Sequence, residues 1–196
     1  YNRGNSKQKI FLDVYDYFRF IKLLFISNSN LSFKLHLLRN HIYDTEREAP
    51  IVNIGAYCLM QNHFHILISP HTENGLSKFM QKVTTGYSMY FNNKYDRRGT
   101  LFEGKFKAEA ITDDRYLKYL YAYIHLNPMK LYDKNWRDSD IQNKEEAKKF
   151  IREYRYSSFP DYSGSSRRES AILNTEAFPE RFSTTEEFEQ SMFEWF

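Results

Sequence analysis

The sequence predicts an α+β fold: a ferredoxin-like, split βαβ plan with an antiparallel sheet, one further helix, and a helical C-terminal extension. Three observations predict it. Strand-like alternation and helix-like periodicity exchange along the first 127 residues in the order β-α-β-β-α-β-α. A turn at Gln61-Asn62 joins two β-rich runs into a hairpin. The charge changes sign near Trp136: residues 1–137 carry 20 Lys and Arg against 12 Asp and Glu, and residues 138–196 carry 8 against 13. The expected organisation is therefore a basic domain over 1–137 with an acidic extension, 138–196, packed on it.

The elements follow in order. Tyr1 to Asn5 reads as the end of a strand running into a turn. Asp13 caps a helix with Tyr17, Phe18, Ile21, Leu24 and Phe25 at helical spacing, and Asn28-Ser29-Asn30 ends it. Leu35, Leu38 and Ile42 predict a second helical stretch over 33–42. The run from Ile51 to Leu59 and the return from His63 to Ser69 form the hairpin. From Gly75 to Asn92, Leu76, Phe79, Met80, Val83, Tyr87 and Tyr90 mark an amphipathic helix, followed by a basic loop at Arg97-Arg98-Gly99. Thr100 to Ile111 alternates like a strand. Thr112 or Asp113 caps a helix reaching Asn127, because Pro128 disfavours helical geometry just before it. In the extension, 144–151 reads as a helix, 162–168 as a Ser/Gly/basic loop, and Thr184-Thr185-Glu186-Glu187 as the start of a last helix.

Composition removes several classes. At 196 residues, 41% hydrophobic and 27% charged, the chain suits one compact domain with its own core. Its 2 Trp, 16 Tyr and 17 Phe exclude disorder, collagen and coiled coil. A lone cysteine, Cys58, forbids an internal disulfide and a cysteine-based metal cluster, which fits a reducing compartment such as the cytoplasm. No run approaches the length of a membrane span, and no signal peptide opens the chain. The chain opens on Tyr1 rather than Met, so residues ahead of it are expected. A net charge of +3 does not by itself argue for nucleic acid. A basic segment rich in aromatics does, since such a surface can hold phosphates and stack bases.

Two patterns carry chemistry. Strand alternation puts His63, His65, Leu67 and Ser69 on one face and Phe64, Ile66 and Ile68 on the other. The second set is what packs on helices, so the histidines are expected on an uncovered face, ~7 Å apart along the strand. Two imidazoles so placed can converge on one divalent ion. On the helix before Pro128, Leu117, Leu120, Tyr121 and Ile124 form a core stripe, and Tyr116, Tyr119, Tyr123 and Asn127 form the adjacent one. That stripe sets the Tyr123 phenol one turn before the Asn127 amide. A phenol, with an ordinary pKa near 10, needs an electrophile polarised by a metal to act as a nucleophile.

The blocks Ala56-Tyr57-Cys58-Leu59-Met60-Gln61-Asn62-His63-Phe64-His65, Arg98-Gly99-Thr100-Leu101-Phe102-Glu103-Gly104-Lys105-Phe106, and Tyr119-Leu120-Tyr121-Ala122-Tyr123-Ile124-His125-Leu126-Asn127-Pro128 resemble, in order, those of the single-tyrosine HUH transposases. With Asn2-Arg3-Gly4-Asn5 and Tyr156-Ser157-Ser158-Phe159, the likeness is closest to the REP-associated tyrosine branch. The resemblance implies that His63, His65 and Asn127 bind a Mg²⁺ or Mn²⁺ ion and that Tyr123 is the nucleophile, with Tyr119, Tyr116 and Tyr121 as rivals. It implies cleavage and rejoining of single-stranded DNA beside a hairpin through a 5′-phosphotyrosine. It also implies a catalytic role for the helix of Tyr123, a monomer or homodimer, and a place on the bacterial nucleoid.

Arg3, Lys7, Lys9, Arg97, Arg98, Lys105 and Lys107 are candidate phosphate contacts, and Arg167-Arg168 would join them if the extension clamps DNA. Two departures stand out: Gln61 where the family more often has Pro, and a long stretch from Asn28 to Pro50. A non-catalytic single-strand-binding module on the same fold is the alternative reading, and a domesticated relative would share the active chemistry.

Overall fold

The structure, a computed structural model, describes residues 1–31, 42–138, 141–178 and 182–196. Strand β1 (Asn2–Arg3) is followed by α1 (Val14–Ile26), then by the hairpin of β2 (Val52–Met60) and β3 (His63–Pro70). Next come α2 (Gly75–Lys94), α3 (Asp114–His125) and α4 (Met129–Tyr132). The extension supplies α5 (Lys144–Glu153), α6 (Phe159–Tyr162) and α7 (Thr185–Phe193). The helical stretch expected over 33–42 lies outside the described residues except for Ile42, which is buried in a short 3-10 turn.

The sheet has the order β1-β3-β2, antiparallel throughout, as a split βαβ plan requires. Its expected fourth strand is not a regular one. Residues 101–107 do run along the free edge of β1, with Asn5 N–H donating to Leu101 O (2.9 Å), Glu103 N–H to Arg3 O (3.0 Å) and Lys107 N–H to Tyr1 O (2.8 Å). Only Gly4 and Phe102 form a bridge. Gly104, at φ 156°, breaks the pleat between those contacts, so alternation in the sequence did not become a ladder.

Capping fixes where helices start. Asp13 and Asp16 form a reciprocal capping box at α1, and Asp113 and Thr184 cap α3 and α7. The sequence placed all three starts. Helix α3 ends at His125, two residues before the expected Asn127, which follows in the turn ahead of Pro128.

Apolar side chains form two cores, one on each side of the sheet. Phe20, Ile21, Leu24, Phe64, Phe79, Val83 and Tyr87 join α1 and α2 to one face. Ala56, Cys58, Leu67, Leu117, Tyr121, Phe159 and Phe188 join α3 and the extension to the other. Strand β2 is buried along its whole length because it serves both. A bulge between Ile54 and Ala56 makes this possible: Val52 and Ile54 face the first core, and after one extra residue Tyr57 and Leu59 do. Gly55 sits in that bulge, where a Cβ would stand 2.9 Å from the Phe178 ring and 3.0 Å from the Tyr121 hydroxyl.

The second sheet face is therefore not free, contrary to the expectation that helices cover one side only. Ala56, Cys58 and Met60 make it apolar along β2, and α3 and the extension bury it. What remains half-exposed is the end of β3 that carries His63 and His65.

Candidate nucleophile and metal site

Pairing in the sheet brings the site's strand residues together. Arg3 lies opposite His63 and Asn2 opposite Phe64 across β1 and β3, so Arg3 shares the histidine face. The rings of His63 and His65 stand edge to face with centroids 5.2 Å apart. The turn fixes the first of them: His63 Nδ1 lies 2.7 Å from Asn62 Oδ1, while Asn62 Nδ2 donates to Lys7 O. A carboxamide oxygen only accepts, so Nδ1 carries the proton and Nε2 keeps its lone pair.

Helix α3 brings the phenol. The Tyr123 ring meets His65 edge to face at 5.2 Å, and Tyr1 covers His65 from the other side at 5.4 Å. Tyr121, one residue pair away on the wheel, is buried in the core, so it is not a competitor. Tyr119 stacks between Tyr116 (5.9 Å) and Tyr123 (6.0 Å), one turn further from the histidines. Of the expected core stripe of α3, Leu117, Tyr121 and Ile124 are buried and Leu120 is only half-buried, while Ala122 and His125 join the buried side.

Asn127 completes the cluster. It is 1% exposed, and its amide lies against both the His63 imidazole and the Tyr123 hydroxyl. Neither contact reaches hydrogen-bond geometry, and both polar atoms of the Asn127 side chain lack a partner. A buried carboxamide without partners is costly, by ~1–3 kcal/mol. A cation bound by the Asn127 oxygen would offset part of that cost, and the donor set of two imidazoles and an amide oxygen suits a divalent ion. Among the described residues no three His, Cys, Asp or Glu side chains gather anywhere, so this mixed set is the metal candidate.

Electrostatics agree with that use. Burial pushes the His65 imidazole down to about 3, helped by His63 and Lys130. His63 is lowered by burial, then by Lys130 and Arg3. Both rings are neutral at pH 7, the form that ligates. The Tyr123 hydroxyl is raised by burial, and Arg137 opposes the rise.

The candidate phosphate contacts divide. Arg3 and Lys107 stand at the site: Arg3 is ion-paired with Glu103, and Lys107 lies over the Tyr1 ring. Lys7 also acts on Glu103 from the same end. Arg97 is held by Asn92 (2.9 Å) and Gln8 (3.2 Å) in the loop after α2. Lys9, Arg98 and Lys105 are exposed on the surface. Arg167 is no phosphate contact. It is half-buried, paired with Asp161, and donates to Ser157 O, Arg155 O and Tyr57 Oη. Arg168 pairs with Asp44.

Sequence reasoning missed Asn62, Lys130 and Arg137. Asn62 and Lys130 neighbour named site residues in sequence, and Arg137 lies at the charge boundary, so position was their only signal. It also missed why Tyr156-Ser157-Ser158 matters. That segment pairs with the outer edge of β2, and Ser158 Oγ joins Tyr57 N–H (2.9 Å) to His125 Nε2 (2.7 Å) on α3.

The strand histidines thus face a helix-borne tyrosine beside an antiparallel sheet. The family described as Transposase IS200 like matches residues 35–127, the span that contains β2, β3, α2 and α3 with His63, His65, Tyr123 and Asn127. That segment is similar to the IS200-like transposases. Neither a curated protein nor a solved structure matches the chain. Among the described residues no helix is long and apolar enough to cross a membrane.

Proposed function

We propose that this chain cleaves and rejoins single-stranded DNA beside a hairpin, the REP-associated type of substrate, with Tyr123 as nucleophile. His63, His65 and Asn127 would hold a Mg²⁺ or Mn²⁺ ion. The observation that carries the reading is the unpartnered Asn127 amide between His63 and the Tyr123 hydroxyl.

When bound, such an ion polarises the scissile phosphate and offsets its charge. The chain's own residues do the rest. The Tyr123 oxygen attacks phosphorus, its proton is lost, and the bond to the 3′ oxygen breaks as that oxygen takes up a proton. The products are a 5′-phosphotyrosine and a free 3′-hydroxyl. Because one phosphoester replaces another, a second 3′-hydroxyl can reverse the step without ATP. Asn62 holds the ring of His63 in its ligating tautomer. Arg3, Lys107 and Lys130 supply positive charge around the phosphate.

The test is a denaturing gel of the protein with labelled single-stranded hairpin DNA, with and without Mn²⁺. A Mn²⁺-dependent covalent band supports the reading. DNA retention under native conditions with no covalent band at any metal concentration would instead favour the non-catalytic binding module.

A further inference from the structure

A groove runs along the side of α3 away from the histidines, between that helix and the chain beyond it. Tyr119 and Tyr123 form one wall, Trp136, Arg137, Trp195 and Phe196 supply the other aromatic and cationic surface, and Ala122, Leu126, Asp138 and Ile141 complete the lining. Six of those ten residues lie outside the segment matched by the transposase family. The groove has a volume of about 650 Å³, within the ~300–1,000 Å³ usual for ligand clefts. Tyr119 and Tyr123 also line a second cleft of about 270 Å³ that contains His65 and Lys107. The two tyrosines are thus a ridge with a cleft on either side.

We propose that the groove is a stacking subsite for a nucleobase of single-stranded DNA, next to the phosphate presented to Tyr123. The inference rests on the proposed function. Four observations carry it. Its walls are π surfaces: Trp195 meets Tyr119 at 5.3 Å, and Trp136 meets Phe196 at 6.1 Å. Trp195 is 47% exposed, an unusual cost for an indole unless something stacks on it. Trp136 is 94% buried, and its indole N–H has no partner, which leaves a donor for a base edge. Arg137 spans the Tyr123 and Trp136 rings at 5.4 and 5.1 Å. It has no ion pair with a carboxylate among the described residues, so its charge is available to a phosphate.

Aromatic faces joined by a guanidinium, above an aliphatic floor of Ala122, Leu126 and Ile141, fit a stacked base whose phosphodiester lies towards Arg137. Stacking is tolerant of sequence, since every base has a π face. The subsite would therefore hold the strand beside the nucleophile, and leave the choice of sequence to other contacts.

The sequence contains two tryptophans, Trp136 and Trp195, and both line the groove, so intrinsic fluorescence reports directly on its occupant. The probes are a mixed-sequence single-stranded hexadeoxynucleotide and an abasic tetrahydrofuran phosphodiester of the same length, titrated in chelator. The hexamer is expected to change tryptophan emission saturably and the abasic chain to leave it unaltered. Trp195→Ala should weaken hexamer binding by about 5- to 150-fold, the range for loss of one base–aromatic stack. Its affinity for the abasic chain should not move, and Trp195→Phe should recover part of the loss. A merely structural defect would lower both affinities and leave Trp195→Phe intact.

Equal binding of hexamer and abasic chain overturns the proposal, as does unchanged hexamer affinity in Trp195→Ala. An emission change that follows protein concentration without DNA assigns the groove to a second copy and also overturns it. Running the covalent-adduct gel on the same protein separates the two readings. An adduct without base-dependent emission sinks only the subsite. Base-dependent emission without an adduct sinks the nucleophile and leaves the groove.

Discussion

Replacing Ser158 by Ala tests how the extension holds the helix that carries the nucleophile. Ser158 and His125 are both 0% exposed. The Ser158 hydroxyl accepts from Tyr57 N–H at 2.9 Å and meets His125 Nε2 at 2.7 Å. Alanine leaves both groups buried without a partner, at ~1–3 kcal/mol each. The backbone bond from Ser158 N–H to Tyr57 O, 2.9 Å, survives, so the edge of β2 stays covered. The expected loss is about 3 kcal/mol. In urea, at an m of ~2 kcal/mol/M, the midpoint falls by more than about 1 M with no change in slope.

A double-mutant cycle with His125→Phe isolates the link to α3: with the imidazole absent, Ser158→Ala should cost about 1–2 kcal/mol less. His125 is two residues from both Tyr123 and Asn127, so the folded Ser158→Ala protein should also form adduct more slowly. A stability loss under 0.5 kcal/mol, or two substitutions that simply add, would refute the pinning argument.

Three further outcomes are expected. Tyr123→Phe should abolish the covalent DNA band while changing single-strand affinity less than about threefold, since the ring remains; adducts persisting there and vanishing in Tyr119→Phe would move the role by one turn. Saturating Mn²⁺ should raise the melting temperature of the wild-type protein, by the equivalent of ~2.7 kcal/mol at one hundred times Kd. Asn127→Ala and His63→Ala should lose that gain, and a full metal-dependent shift in either would remove its residue from the ligand set. At alkaline pH the buried phenols set the limit. Tyr17 is pushed up to about 12 by burial first, so the fold favours its neutral form. Its contribution is complete below the unfolded value near 10 and is lost as pH rises towards 12, about 1.4 kcal/mol at pH 11. Urea melts at pH 8 and 11 should show that much less decline in Tyr17→Phe, and an identical decline would refute the assignment.

Local rules made much of this protein readable in one dimension. Asp13, Asp113 and Thr184 announce helix starts because a capping side chain bonds amides only two or three residues away. Alternation from His63 to Ser69 separates histidines from core residues because a strand's pleat has a period of two. The stripe of Tyr119, Tyr123 and Asn127 follows from 3.6 residues per turn. None of these needs a partner distant in sequence.

What failed or was missed did need one. The glycine-punctuated segment 98–106 alternates, but whether it forms a ladder depends on the two-residue β1 and on Gly104. Arg167 looked like a free cation until Asp161 and the carbonyls of Arg155 and Ser157 were brought to it. The bulge at Gly55, the strap of Ser158 across β2 and the groove of Trp136 and Trp195 depend on contacts between segments up to about a hundred residues apart. The sequence determined which side chains share a strand face or a helix stripe. Only tertiary packing decided which of those faces stay open, because burial is a property of what the rest of the chain lays over them.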